Sequence, residues 1–147
     1  MNVPATPRTS AVVTAVYGLL DPIPFGCFVA ALIFDVVYTR SADVLWVKGA
    51  AWLLAIGLVF AVLPRLINLT RVWIVDRRSA VTADKFAFWL NLLAVVAAIV
   101  NSFVHSRDAY AIVPTGMWLS VVTVVLLSIS HVVSATRHST SREFANA

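Results

Sequence analysis

The chain has 147 residues, of which 61% are hydrophobic and 12% charged, against roughly 25% charged in an ordinary soluble domain. Eleven Lys/Arg and seven Asp/Glu give a net charge of +4, and mean hydropathy is +0.90. So few polar residues cannot cover a soluble protein of this size and so many apolar ones exclude disorder, while basic residues scattered between apolar runs exclude a nucleic-acid module and point to an integral membrane protein.

Residues 1–22 read as an N-terminal cytoplasmic or interfacial segment. Within it, Ala11 to Leu20 is apolar but only about half the length a spanning helix needs. No small-residue cleavage site follows it closely, so it is expected to lie in the interface or to extend the first helix below a break at Asp21-Pro22-Ile23-Pro24. Gaps between charges then place four spans, at about 23–39, 44–64, 86–104 and 116–134, each near the roughly 20 residues that cross about 30 Å of hydrocarbon. Strand-like alternation over ten-residue segments is not seen, which excludes a β-barrel. Short connections at about 40–43 and 105–115 impose two antiparallel hairpins. The fold class is therefore all-α: a polytopic membrane protein with four transmembrane helices in an up-down-up-down bundle over residues 23–134. The basic connection at about 65–85, with Trp73, is expected to start along the anionic leaflet. Residues 135–147 read as a polar, frayed tail.

Orientation follows from the basic residues. One side carries Arg8, Arg65, Arg71, Arg77, Arg78, Lys85, Arg137 and Arg142, the other only Arg40, Lys48 and Arg107. That imbalance puts both termini in the cytoplasm of a bacterial inner membrane. Tyr38, Trp46, Tyr110 and Trp118 fall at the outer boundary, Tyr17, Trp73 and Trp89 near the inner one, and Trp52 reads as a packing residue. Small-residue pairs at four-residue spacing, Gly26/Ala30, Ala51/Ala55, Gly57/Ala61 and Ala94/Ala98, mark faces where helices approach closely.

Polar residues inside the spans carry the functional candidates, because an unpaired one in hydrocarbon is costly. Asn91, Asn101 and Ser102 on the third helix and Ser120, Thr123, Ser128, Ser130 and His131 on the fourth form two stripes expected to face each other. Interhelical hydrogen bonding is their bland reading; a ligand, quinone or proton path is the sharper one. Asp35 and Lys48 lie symmetrically about the first turn and are expected to form a buried ion pair, with proton handling at Asp35 as the alternative. Asp21, Arg65 and His131 form a candidate inner-face cluster, and His105, Arg107 and Asp108 a candidate outer-loop site. No catalytic set is found: there is no hydrolase triad context, no glycine-rich phosphate loop and no H-E-x-x-H. Cys27 is the single cysteine, so clusters and intrachain disulfides are excluded. His105 and His131 fall about 22 Å apart along the bundle and cannot share one haem. No metal site is expected.

From about Leu19 to His131 the chain resembles the bacterial membrane-protein family designated domain of unknown function 2231. The resemblance is carried by Pro22 and Phe25 opening the first helix, Asp35 near its end and Gly57 in the second. Further carriers are Arg107-Asp108 after the third helix, and Pro114-Thr115-Gly116 with Leu119-Ser120 opening the fourth. The family usually opens with a His-Pro pair; Asp21 stands here in place of the histidine, so ligation through that residue, where relatives have it, is lost. The resemblance implies an accessory membrane subunit, since such proteins are found beside or fused to sugar dehydrogenases, Rieske domains or c-type cytochromes. The resulting expectation is a non-enzymatic anchoring or accessory subunit in the lipid bilayer, with a redox enzyme or another membrane protein as partner, no nucleic acid and no cofactor of its own. The alternatives are a haem- or quinone-binding electron-transfer subunit and a small transporter or channel acting as a homo-oligomer.

Overall fold

The computed structural model describes the backbone of residues 19–20, 22–75, 82–107 and 111–145, and the side chains of 19–20, 22–62, 86–107 and 111–136. Four helices follow one another: α1 (Pro22–Ser41), α2 (Val44–Val75), α3 (Thr82–His105) and α4 (Thr115–Ala145). Their stretches Pro22–Ser41, Val44–Val62, Phe86–His105 and Thr115–Thr136 are long and apolar enough to cross a membrane. They coincide closely with the expected spans. Packing is tightest between α1 and α2 and between α3 and α4; α1 against α4 and α2 against α3 close the four-helix bundle.

The turn between α1 and α2 is built from local chemistry. Ala42 takes a left-handed φ of 55°, and its N–H bonds the Tyr38 carbonyl at 2.9 Å, which ends α1. Asp43 then caps α2, its Oδ1 accepting the Leu45 N–H at 2.9 Å. Two residues thus suffice to reverse the chain.

Each helix buries residues at alternating three- and four-residue steps. On α1 these are Pro24, Phe28, Ala31, Asp35 and Tyr38; on α2, Val47, Ala50, Leu54, Gly57 and Ala61. On α3 they are Ala94, Ala98, Asn101 and His105, with Val95 buried beside Ala94, and on α4, Gly116, Ser120, Thr123, Leu127 and Ser130. A repeat averaging about 3.5 residues keeps one seam facing a partner along the whole helix pair, as in left-handed coiled coils. The close meeting of Phe28 with Gly57 sets the antiparallel register of the first hairpin: a Cβ on Gly57 would lie 2.9 Å from the Phe28 ring and 3.1 Å from Cys27 Cβ. Outside the seams the bundle is apolar: Leu45, Phe103 and Trp118 are among many large hydrophobics left exposed by the protein itself. In lipid that surface is solvated, and seams of small and polar residues supply the helix contacts.

Several expectations are corrected. Trp52 is 71% exposed and faces outward rather than packing. Tyr38 lies near the turn end of α1, with its side chain buried against Val47 and Ile112. Gly57/Ala61 and Ala94/Ala98 lie in the seams, whereas Gly26 has nothing within 4 Å of where its Cβ would stand. Helix α2 continues past position 64 to Val75, so most of the expected 65–85 connection is helical. Pro64 offers no N–H to the carbonyl four residues back, a loss that membrane helices tolerate. Likewise, α4 runs to Ala145 instead of ending in a frayed tail; polarity there signals solvation, and nothing in Arg137–Ala145 breaks a helix. Residues 1–18 lie outside the described residues.

The Gly57 contact yields a test. Gly57→Leu places branched carbon where the buried Phe28 ring stands, and is expected to destabilise the bundle by about 1–3 kcal/mol. Equilibrium unfolding in mixed micelles measures it; an unchanged midpoint would contradict the register.

Candidate functional site

A buried polar network lies towards the hairpin-turn end of the bundle. Asp35 occupies the α1 seam about 9 Å below the end of its helix and is 3% exposed. Its Oδ1 lies 2.7 Å from His105 Nε2. Its Oδ2 accepts the Ser120 hydroxyl at 2.5 Å. Ser120 Oγ in turn accepts the Asn101 side-chain N–H at 2.7 Å. The circuit closes at His105 Nδ1, which lies 3.0 Å from the Asn101 carbonyl. Three helices therefore meet through four side chains.

The surroundings explain why this pairing forms. Gly116, opposite His105 on α4, leaves room for the ring: a Cβ there would lie 3.0 Å from His105 Cε1 and 2.5 Å from Ile112 Cγ2. Ile112, in the connection between α3 and α4, is buried with Tyr38 and Val47 and shields the network at the turn end. A carboxylate so placed is desolvated and needs a partner able to donate. His105 Nε2 and Ser120 Oγ meet its two oxygens, and among the described residues every side-chain hydrogen bond joining the two hairpins ends on Asp35.

Further from the turns, Asn91 donates to Ser130 Oγ at 3.2 Å and Ser130 donates to the Ala87 carbonyl at 3.1 Å, again between α3 and α4. The two polar stripes do face each other, joined at Asn101–Ser120 and Asn91–Ser130. Thr123 and Ser128 instead bond carbonyls of their own helix, Leu119 and Val124. Ser102 is half-buried beside the seam. Asn91 Oδ1 and Asn101 Oδ1 are buried without a hydrogen-bond partner.

The expected Asp35–Lys48 pair is not formed: Lys48 is exposed, and Asp35 bonds His105 and Ser120. Equal depth about a turn does not confer a shared face. At about 100° per residue, Lys48 points well away from the seam residues Val47 and Ala50. The outer-loop site is also dismantled. His105 ends α3 and turns inward, Arg107 is exposed, and Asp108 lies outside the described residues. Of the inner-face cluster, His131 packs its ring on Phe25 with centroids 5.4 Å apart; Asp21 and the Arg65 side chain lie outside the described residues. Sequence reasoning missed the Asp35–His105 pair. The signal was present in the seam spacing that puts Asp35, Asn101, His105 and Ser120 on buried faces.

Among the described residues no three His, Cys, Asp or Glu gather as a metal-holding group. Both His105 ring nitrogens already face protein acceptors. What the arrangement does chemically is hold protons between oxygen and nitrogen atoms, in the buried interior of the bundle.

Because Asp35 links both hairpins, its removal should be felt at two places. Asp35→Ala, which strands Ser120 and His105 together, is expected to destabilise more than Asp35→Asn. In a double-mutant cycle with His105→Gln, the coupling is expected to exceed the ~0.6 kcal/mol average for membrane hydrogen bonds and approach about 1.7 kcal/mol. Unfolding in bicelles measures both, and zero coupling would show that the contact contributes nothing.

The profile of the family described as predicted membrane protein, domain of unknown function 2231, matches residues 12–136. No curated protein and no solved structure matches the chain.

Proposed function

Since the chain belongs to the family of predicted membrane proteins designated domain of unknown function 2231, we propose that it is a non-enzymatic subunit that anchors or assists a partner, a redox enzyme, at the bacterial inner membrane. One observation carries the reading: the interior is committed to holding helices together. The hydrogen bonds of Asp35, Asn101, His105 and Ser120 run to one another or to backbone. Between them the seams are filled by Ala31, Ala50, Leu54, Ala94, Ala98 and Leu127. An enzyme needs groups free to meet a substrate, whereas Asp35 and His105, the buried carboxyl and imidazole of this interior, already have partners.

For the two histidines whose side chains are described, the same geometry weighs against electron transfer through haem. An axial imidazole must turn one ring nitrogen to iron. His105 has both nitrogens engaged, and His131 lies at the opposite end of the bundle with its ring against Phe25. The outer surface, by contrast, is free: large apolar side chains such as Trp89, Phe103 and Val125 face outward, where lipid or another transmembrane helix would lie.

Two measurements test this proposal. Blue native electrophoresis of gently solubilised membranes is expected to place the chain in a stoichiometric complex with a second, redox-active polypeptide; migration only as itself would reject the accessory role. For orientation, a fluorescent protein fused after Ala147 is expected to glow in the cytoplasm, and a phosphatase inserted at the Ala42–Asp43 turn to be active outside. The reverse pattern would overturn the assignment made from the basic residues.

A further inference from the structure

The protons of the buried network can be placed from the chemistry of each neighbour. A backbone carbonyl only accepts, so His105 Nδ1, 3.0 Å from the Asn101 carbonyl, carries a hydrogen. Ser120 Oγ receives the Asn101 N–H, so its own hydrogen goes to Asp35 Oδ2. One gap is left, the 2.7 Å between Asp35 Oδ1 and His105 Nε2. With no proton in it, a carboxylate oxygen faces a nitrogen lone pair. With two, an O–H faces an N–H. Only one proton makes the contact attractive.

We propose that Asp35 and His105 form a binding site for a single proton, and that their contact draws the two hairpins together only while that proton is bound, the Ser120–Asp35 bond being independent of it. The proton rests either on Oδ1, leaving both groups neutral, or on Nε2, giving a carboxylate beside an imidazolium. Passage from one to the other breaks the O–H bond and forms the N–H bond, and the pair carries no net charge in either state. A neutral pair suits the low-dielectric interior, where a lone charge would be costly. Gain of a second proton and loss of the first both remove the attraction, and both leave a net charge behind.

Few other titratable groups lie nearby. On α1, Tyr38 is buried one step towards the turn and Arg40 is exposed; on α2, Lys48 is exposed, as is Asp43 before it. Arg107 after α3 is exposed, and α4 brings no titratable side chain to this end among the described residues. Among the described residues, the proton at this contact is therefore shared by Asp35 and His105. The network ends on the Asn101 carbonyl, which cannot pass a proton onward, so the site holds a proton and does not conduct it.

The test uses the full chain in phosphatidylcholine–phosphatidylglycerol nanodiscs. Nitrogen-15 resonance of labelled histidine is expected to show Nδ1 of His105 protonated and the Nε2 signal shifted by Asp35→Asn. Spin labels at Lys48→Cys and Arg107→Cys, in a Cys27→Ser background, report the separation of the hairpins. That separation is expected to be smallest at intermediate pH and to widen on both the acid and alkaline sides. Asp35→Asn with His105→Gln replaces the contact by amides that do not titrate, and is expected to flatten the profile. A bare Nδ1 in the unmodified chain, a separation that ignores pH, or a profile shared by the double variant would each overturn the proposal.

Discussion

A carboxyl group stands inside a bundle whose outer surface is fit for hydrocarbon, and much of the architecture follows from that constraint. Removing an ion from water carries an effective penalty of several kcal/mol unless close partners replace the lost hydration. Asp35 has two such partners, one on α3 and one on α4. Gly116 makes space for the first, Asn101 orients the second, and Ile112 closes the turn end against water. The residues around Asp35 are small or polar because a bulkier neighbour would separate the carboxyl from its donors.

The distribution of apolar and polar groups is inverted relative to a soluble bundle. Many large hydrophobics face outward, and the seams mix Ala, Gly, Ser, Thr and Asn with a few larger side chains such as Phe28 and Leu54. Lipid removes the usual hydrophobic drive between helices, so close backbone approach and hydrogen bonds decide which faces meet. Gly57 under Phe28 and Gly116 under His105 are two places of close approach: one fixes the register of the first hairpin, the other seats the ring that reaches across to it.

What could be read from the sequence depended on the kind of information each feature needs. The spans were legible because crossing hydrocarbon is a matter of length and charge, both one-dimensional. The meeting of the α3 and α4 stripes was legible because helical periodicity fixes faces and a short connection fixes which helices are neighbours. Asp35 was recognised as buried, but its partner was not. Depth alone suggested Lys48, whereas the partner is set by rotation about the helix axis and by contact between hairpins joined through a long connection. His105 was assigned to a loop because the boundary of α3 was drawn one residue early, and that single residue separates a solvated side chain from an inward one. Gly26 and Trp52 failed for a related reason: residue type suggested packing, but the seam passes along other faces of their helices.

The strength of individual membrane hydrogen bonds does not explain a network of four residues, since an average one contributes only ~0.6 kcal/mol. Selectivity explains it better. Two hairpins with smooth apolar faces could slide or rotate against each other, or pair with other helices, at little change in energy. Sliding α1 by one seam repeat, roughly 10 Å, would carry Asp35 away from Ser120 and His105 towards the level of Ala98 and Leu127, where neither side chain can donate a hydrogen bond. The carboxyl would then bear its full desolvation penalty, so the polar contact penalises every register except the one observed. A buried polar group used in this way specifies an arrangement more than it stabilises it, as a single polar residue does in a coiled-coil seam. Because the specifying contact contains a titratable pair, the same feature that selects the arrangement also makes it sensitive to the number of protons the pair holds.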